Sequence, residues 1–481
     1  MAEATNSSAA KGAIWSTIDK FGIVAMQFVI NVVLARLLTP DDFGLVGMIL
    51  IIVAVSIIVA EGGFSSALIQ KSDASEEDYS TSFYVNITMS ALLYVLIYIL
   101  APLVAKSLGY PILCDFLRVI SVTIILSALG VVARVKLKRK FAFKQIAISN
   151  IVAYILAATV AIVMSRVGFG AWSLVAMHIT NALFSNIFII IAARWTPSTK
   201  FSFDSLKRLF AYGEYMLISD ILSNACFHIQ STLVGKYFTP HVAGQYAQAK
   251  KMEEVACITL PSAMVQVLFP LYSSLQHNIE QLRDRLRVNT QLIAFVIFPL
   301  MTILMLVAEP LIMLLFGERW VGSIPIFQVL CLGGFFCAMQ YFNYYAVAAI
   351  GRSRTLFFAG VFKSLFTIGA ILTAVHIDMT AVLVAMVASN VVNYLTNAIV
   401  AHIYIKYNVT QQLLDVAPIL ATAVTSGIAT YYASTLCDIH WIVQIAIYLV
   451  LYFGICYITK NKVLNEVREV LNMVLNRVIK L

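Results

Sequence analysis

The chain has 481 residues, of which 61% are hydrophobic and 12% are charged. Soluble domains contain about 45–50% apolar and about 25% charged residues, so this composition excludes an ordinary soluble protein and indicates one that lies in a lipid bilayer. The seven cysteines form no CxxC pair, and most lie within apolar stretches. We therefore interpret them as small buried apolar side chains and expect neither disulfides nor a metal site.

Fourteen stretches are long and apolar enough to cross a hydrocarbon core of about 30 Å as α-helices. Some connections between them are very short, so neighbouring helices are expected to be antiparallel. The sequence therefore predicts an all-α, polytopic membrane protein. In chain order, the predicted spans are 14–37, 43–69, 82–105, 112–133, 146–166, 171–193, 211–235, 252–275, 290–316, 324–348, 356–376, 380–405, 415–436 and 441–459.

Lys and Arg residues are distributed unevenly between the loops on the two sides of the membrane. With the N-terminus in the cytoplasm, the cytoplasmic loops receive most of them, including the dense group from Arg134 to Lys144. This is the positive-inside pattern, so we predict that both termini are cytoplasmic. The net charge of +9 follows mostly from the same bias and does not indicate a nucleic-acid partner.

A short motif recurs with an offset of 200 residues. Thr39–Gly44 and Thr239–Gly244 share the pattern Thr-Pro-x-x-x-Gly, and each lies between the first and second spans of a six-span unit. Because six is even, the two units have parallel topology and a pseudo-twofold axis along the membrane normal. The alternative is that the motif is simply a common turn signal. The predicted segments are an N-lobe with helices 1–6 (1–200), a C-lobe with helices 7–12 (201–408), helices 13 and 14 (409–460) and an amphipathic tail on the cytoplasmic leaflet (461–481).

Helix-breaking residues occur at corresponding positions of the two units. The second span contains Glu61-Gly62-Gly63, and the eighth contains Pro261, which lies 200 residues after Glu61. Interrupted helices in corresponding positions point to the binding site of a transporter. An ordinary kink that packing tolerates is the alternative.

Two segments, Leu34–Gly44 and Glu61–Lys71, carry a resemblance to a known family, and Phe316–Trp320 and Gly351–Arg354 add to it. From about residue 11 to 460 the chain resembles the Wzx-type, colanic-acid-exporter-like O-unit flippases of the multidrug/oligosaccharidyl-lipid/polysaccharide exporter superfamily. The resemblance implies two six-helix lobes around a central cavity, with two extra C-terminal helices. It also implies an undecaprenyl-diphosphate-linked oligosaccharide repeat unit as substrate and a location in the bacterial inner (cytoplasmic) membrane.

Polar residues of the first and seventh spans lie on one face of each predicted helix. Lys20, Gln27 and Asn31 are spaced i, i+7 and i+11 in the first span. Polar groups inside a bilayer are expensive, and these would suit a hydrated pathway for a diphosphate and sugars. The alternatives are polar contacts between helices and, for the histidine of the seventh span, a hydrogen-bonded core residue. The corresponding residues of the seventh span are Asp220, Asn224 and His228.

Three cations on or near this route, Lys20, Arg118 and Lys236, are expected to attract the diphosphate and acidic sugars. At the offset of 200 residues, Lys20 corresponds to Asp220. We predict an ion pair between them that closes the cytoplasmic side and opens when a diphosphate competes for Lys20. Alternatively, each side chain is solvated separately near the headgroups. Asp220 and Glu61 are also candidates for ion coupling.

No catalytic motif accompanies these residues, since the sequence contains no P-loop, HExxH or GxSxG pattern. We therefore expect a secondary transporter, without enzymatic activity or cofactor, that flips a lipid-linked oligosaccharide for surface polysaccharide biosynthesis. One alternative is a drug/cation antiporter of the same fold, with Glu61 or Asp220 as its coupling carboxylate. The other is a membrane-embedded glycan polymerase or ligase, which the short outer loops disfavour. Expected partners are the lipid-linked glycan and membrane lipids, with polysaccharide polymerase and chain-length machinery as further candidates.

Overall fold

The computed structural model describes residues 22–71, 73–437, 439–459 and 463. The fold is all-α, with helices joined by short loops. The chain divides into two compact units, Met1–Ala247 and Gln248–Leu481. The lobe boundaries predicted at residues 200 and 408 follow the sequence repeat, and they stay predictions.

The described part of the first unit contains the helices α1 to α9 and the first residues of α10. Their bounds are α1 (Gly22–Leu37), α2 (Pro40–Glu61), α3 (Phe64–Gln70), α4 (Glu76–Leu108), α5 (Leu113–Ile120), α6 (Val122–Arg139), α7 (Phe143–Val167), α8 (Trp172–Ala193) and α9 (Phe203–Tyr237).

Helix α10 (Pro240–Glu254) begins in the first unit and ends in the second. It continues into a π-helix of five residues (Val255–Thr259). The helices that follow are α11 (Leu260–Ser274), α12 (Ile279–Leu306), α13 (Ala308–Leu315), a 3₁₀ turn (Glu318–Trp320), α14 (Ser323–Ala349), α15 (Ser353–Ala374), α16 (Met379–Ile405), α17 (Val409–Cys437) and α18 (Trp441–Ile458).

Within the described residues, eleven helical segments are long and apolar enough to cross a membrane. Each overlaps one of the predicted spans, which confirms a polytopic helical membrane protein. Of the other three predictions, 14–37 is described only in its second part as α1, 211–235 lies within α9, and 252–275 is divided between α10, the π-helix and α11. The total of fourteen stays a prediction. The amphipathic tail predicted at 461–481 lies almost entirely outside the described residues.

Local sequence explains where α2 begins. The Thr39 hydroxyl accepts a hydrogen bond from the backbone N–H of Asp42, and the Asp42 carboxylate accepts one from the backbone N–H of Thr39. Pro40 fills the first helical position, where a missing N–H costs nothing. This reciprocal capping box fixes the turn that the repeated motif encodes.

Both predicted helix breakers coincide with irregularities in the helical backbone. Gly62 and Gly63 adopt left-handed conformations, with φ of 59° and 73°, so α2 ends and α3 begins at Phe64. The predicted span 43–69 is therefore divided between α2 and α3, at the helix breaker that its sequence contains. Pro261 follows the π-helix, where its missing N–H removes one α-helical hydrogen bond.

The two copies of the repeated motif pack against each other in the first unit. A Cβ atom added to Gly44 would overlap the carbonyl oxygen of Pro240, and one added to Gly244 would overlap the carbonyl oxygen of Pro40. Glycine is therefore needed at both positions for the backbones to approach so closely. The contact is reciprocal, which gives the sequence offset of 200 residues a structural counterpart.

Candidate substrate-binding cavity

The first unit contains a partly open cavity of about 340 Å³ between α2, α6, α8 and α9. Its volume lies at the lower end of the range of about 300–1,000 Å³ that is usual for small-ligand sites. This volume is sufficient for a ligand head group. The lining residues are Leu50, Val53, Ala54, Ile57, Ile120, Thr123, Ser127, Arg134, His178, Asn181, Ala182, Ser185, Asn186 and His228.

The cavity has one apolar wall and one polar wall. Helix α2 contributes Leu50, Val53, Ala54 and Ile57, whose spacing of i, i+3, i+4 and i+7 defines one helix face. The polar wall comes from α6 and α8. Its members are Thr123, Ser127 and Arg134 on α6 and His178, Asn181, Ser185 and Asn186 on α8.

Arg134 is the cation of the polar wall. Its guanidinium donates to Asn150 Oδ1 at 3.5 Å and to Ser185 Oγ at 3.3 Å. The Ser185 hydroxyl in turn donates to the same Asn150 oxygen at 2.9 Å. These neutral partners fix the direction of the guanidinium, which is the side chain best suited to bind a phosphate or carboxylate with two parallel hydrogen bonds.

A close helix contact shapes the end of the polar wall. Gly130 of α6 lies so near Asn186 of α8 that an added Cβ would overlap the Asn186 amide oxygen. The Asn186 amide nitrogen donates to the carbonyl of Ala182 at 2.7 Å, which holds the side chain against its own helix. This hydrogen bond holds the Asn186 amide in its position at the cavity wall.

A much smaller chamber of about 10 Å³ adjoins the cavity and shares Ile57 and Ser127 with it. Glu61, Asn86 and Ser90 also line this chamber. Asn86 and Ser90 are fully buried, and within the described part of the chain neither the Asn86 amide atoms nor the Ser90 hydroxyl have a hydrogen-bond partner. Unpartnered buried polar atoms are rare, and the space suffices for about one water-sized guest.

Residues 33–325 match a protein family described as polysaccharide biosynthesis protein. The chain belongs to this family. The match confirms the resemblance to polysaccharide exporters that the Leu34–Gly44 and Glu61–Lys71 segments carry.

Curated proteins similar to this family member include two polysaccharide biosynthesis proteins. The chain is 28% identical to the succinoglycan biosynthesis transport protein ExoT of Rhizobium meliloti, over 74% of this chain and 72% of that protein. It is 26% identical to the teichuronic acid biosynthesis protein TuaB of Bacillus subtilis, over 72% of each chain.

A solved structure of the lipid II flippase MurJ, in an inward closed conformation, superimposes with a TM-score of 0.76. The superposition covers 94% of this chain and all of that one, at 16% sequence identity. The polysaccharide biosynthesis family member therefore has a MurJ-like fold.

In this family member, two of the residues predicted from sequence lie at the described cavities. His228 lines the large cavity, and Glu61 lines the small chamber. Asp220 is exposed, and the Asn224 amide donates to its backbone carbonyl at 3.0 Å.

The other predicted residues lie elsewhere. Asn31 is buried and Gln27 half-buried on α1, and neither lines the cavity. The Arg118 guanidinium stacks 4.4 Å from the centre of the Tyr98 ring and donates to the Tyr98 carbonyl. Lys236 is exposed near the end of α9. Lys20, and with it the predicted pair with Asp220, lies outside the described residues.

The sequence interpretation missed most of the polar wall. The hydropathy pattern predicts that span 4 ends at residue 133 and therefore places Arg134 in a cytoplasmic loop, whereas α6 continues to Arg139. His178, Asn181 and Ser185 have a spacing of i, i+3 and i+7 within an apolar span. That spacing was a usable signal of a polar helix face.

Proposed function

We propose that this protein moves an undecaprenyl-diphosphate-linked oligosaccharide repeat unit across the bacterial inner membrane by alternating access. The observation that carries the proposal is the two-walled cavity, in which Arg134 and several uncharged polar groups face an apolar surface of α2. Family membership, the ExoT transport protein and the fold shared with a lipid II flippase support the same activity.

Each wall has a chemical counterpart in such a substrate. The planar Arg134 guanidinium would bind the diphosphate, because two oxygens of one phosphate can accept parallel hydrogen bonds from it. Asn181, Asn186 and Thr123 offer donors and acceptors for sugar hydroxyls. The α2 face would accommodate the apolar faces of the sugar rings. Because the cavity is small, we assign to it the diphosphate and the adjacent sugar only.

The residues proposed along the rest of the route come from the sequence. Gln27, Asn31, Asn224 and Lys236 are candidates for substrate contacts outside the cavity. Arg118 is a candidate for attracting the anionic substrate from the membrane surface.

Lys20 and Asp220 remain our proposed cytoplasmic gate. Lys20→Asp and Asp220→Lys should each impair export, and the double variant should recover part of it. A double variant that exports no better than the worse single variant contradicts the gate.

We further propose that both termini are cytoplasmic, as the positive-inside pattern favours. The protein would then act as a transporter and not as an enzyme. It would receive its substrate from membrane-bound glycan synthesis and deliver it to polysaccharide polymerase and chain-length machinery on the outer side.

The decisive experiment combines gene deletion with analysis of lipid-linked glycans. A deletion strain should lose the surface polysaccharide and accumulate undecaprenyl-diphosphate-linked repeat units on the cytoplasmic side. Accumulation of single units at the outer face would instead indicate a polymerase. Restored dye efflux in an efflux-deficient host, without any glycan phenotype, would indicate a drug antiporter.

A further inference from the structure

Three side chains that are able to ligate a metal ion lie together inside the second unit. Ligand atoms of Glu253, Cys257 and Cys337 all lie within 4.8 Å of one another, and all three residues are buried. The Cys257 thiol donates to Glu253 Oε1 at 3.4 Å. The sequence interpretation of the cysteines as plain apolar side chains does not account for a buried carboxylate between two of them.

The spacing of these atoms suits a tetrahedral metal ion. Zinc binds cysteine sulfur at about 2.3 Å and carboxylate oxygen at about 2.0–2.2 Å, so a tetrahedral angle separates the two ligand atoms by roughly 3.5–3.7 Å. The distance of 3.4 Å between Cys257 Sγ and Glu253 Oε1 is already close to this expected separation. Only small side-chain adjustments would be needed for binding.

Two of the three residues flank the start of the π-helix that precedes Pro261. Glu253 lies in the last turn of α10, and Cys257 lies in the π-helix that follows. Single turns of π-helix inside α-helices occur frequently at functional sites. Cys337 comes from the middle of α14. The predicted helix breaker Pro261 therefore lies shortly after two of the candidate metal ligands, Glu253 and Cys257.

The charges favour a divalent ion. Lys250 Nζ lies 2.6 Å from Glu253 Oε2, on the opposite oxygen from Cys257. Two thiolates and the carboxylate would supply three negative charges, and Lys250 supplies one positive charge. A divalent cation makes the group neutral, and neutrality matters because an uncompensated charge is costly in a buried site.

We propose that Glu253, Cys257 and Cys337 bind a divalent, thiolate-preferring cation of the zinc class. Two thiolates select such an ion over magnesium or calcium, which prefer oxygen ligands. The ion would join α14 to the π-helix and so stabilise the second unit. Each thiol would release its proton to solvent on binding.

The test uses the full-length protein, purified in detergent and treated with a chelator. Titration with Co²⁺ should produce thiolate-to-cobalt charge-transfer absorption that saturates at one ion per chain. Zn²⁺ should abolish this absorption and raise the Tm. Cys257→Ser and Cys337→Ser should each remove the absorption, and Glu253→Gln should weaken Zn²⁺ binding by roughly tenfold or more.

Cys331→Ser is the matched control, because Cys331 is equally buried on the same helix as Cys337 but is not one of the three ligands. It should leave Co²⁺ absorption unchanged. If the serine variants fail to fold, protection of Cys257 and Cys337 from alkylation by Zn²⁺ in the native protein provides the test. Absence of thiolate absorption, absorption that persists in both serine variants, or a Cys257–Cys337 disulfide in the isolated protein would overturn the proposal.

Discussion

Asp41 and His241 contact each other although 200 residues separate them in the sequence: Asp41 Oδ2 lies 3.0 Å from His241 Nδ1. They occupy equivalent positions in the two copies of the repeated motif. Both side chains are about half exposed, so this polar contact contributes only about 0–1 kcal/mol. The close packing of the two backbones, with Gly44 and Gly244 at its centre, holds this contact together.

We therefore expect Gly44→Ala and Gly244→Ala to destabilise the protein by about 1–3 kcal/mol each, because the new methyl group meets a backbone carbonyl that cannot rotate away. Thermal unfolding in detergent measures the effect. Gly47→Ala is the control on the same helix, since its nearest neighbour would be Ser231 Cβ at 3.8 Å. Asp41→Asn should also change the Tm little. Equal losses in the alanine variants of Gly44 and Gly47 would contradict this account.

Arg134→Ala should lower polysaccharide export by roughly tenfold or more, because a hydrogen bond to a charged group contributes about 1.5–3 kcal/mol. Arg134→Lys should keep part of the activity, since it retains the charge but not the bidentate geometry. The measurement is export in the complemented deletion strain, normalised to protein abundance in the membrane. Arg166→Ala, at an exposed site at the end of α7, is the control. Normal export by the Arg134→Ala variant would show that Arg134 does not contribute to substrate binding.

Asn86→Leu should raise the Tm and lower export. Leucine has a similar volume and removes two unpartnered polar atoms, each of which costs about 1–3 kcal/mol when buried. Export should fall if the chamber beside Glu61 serves transport. Asn289→Leu is the matched control, since this buried amide donates to Tyr272 Oη at 2.9 Å and its loss should destabilise. If Asn86→Leu lowers the Tm, the amide is satisfied in the folded protein.

Asp415→Asn should destabilise the second unit by about 1–3 kcal/mol. Its carboxylate accepts two hydrogen bonds from Arg287, at 2.7 and 2.5 Å, and one from Tyr407 Oη at 2.8 Å. These contacts join α12 to α17, the first of the two extra helices. Asp284→Asn breaks an exposed pair with Arg283 and should change the Tm little. Equal effects of the two substitutions would show that the contacts of Asp415 with Arg287 and Tyr407 add nothing to stability.

Hydropathy and turn chemistry predicted much of the fold. Gly62, Gly63 and Pro261 were recognised as helix breakers because their backbone restrictions are local properties of the residue. The position of Arg134 could not be predicted in the same way. Hydropathy locates a helix end only within a few residues, and α6 extends beyond the apolar stretch. The approach of Cys337 to Cys257 depends on packing between separate helices, which no local pattern encodes.

The reciprocal packing of Gly44 on Pro240 and of Gly244 on Pro40 has the form of an isologous interface, in which each partner offers the other the same surface. Had two identical chains made this contact, Asp41 would face a second Asp41, and the two carboxylates would repel. Joining both copies in one polypeptide removes that restriction, because each copy can then change its sequence independently. The pairing of Asp41 with His241 is a complementarity that strict twofold symmetry forbids at these positions.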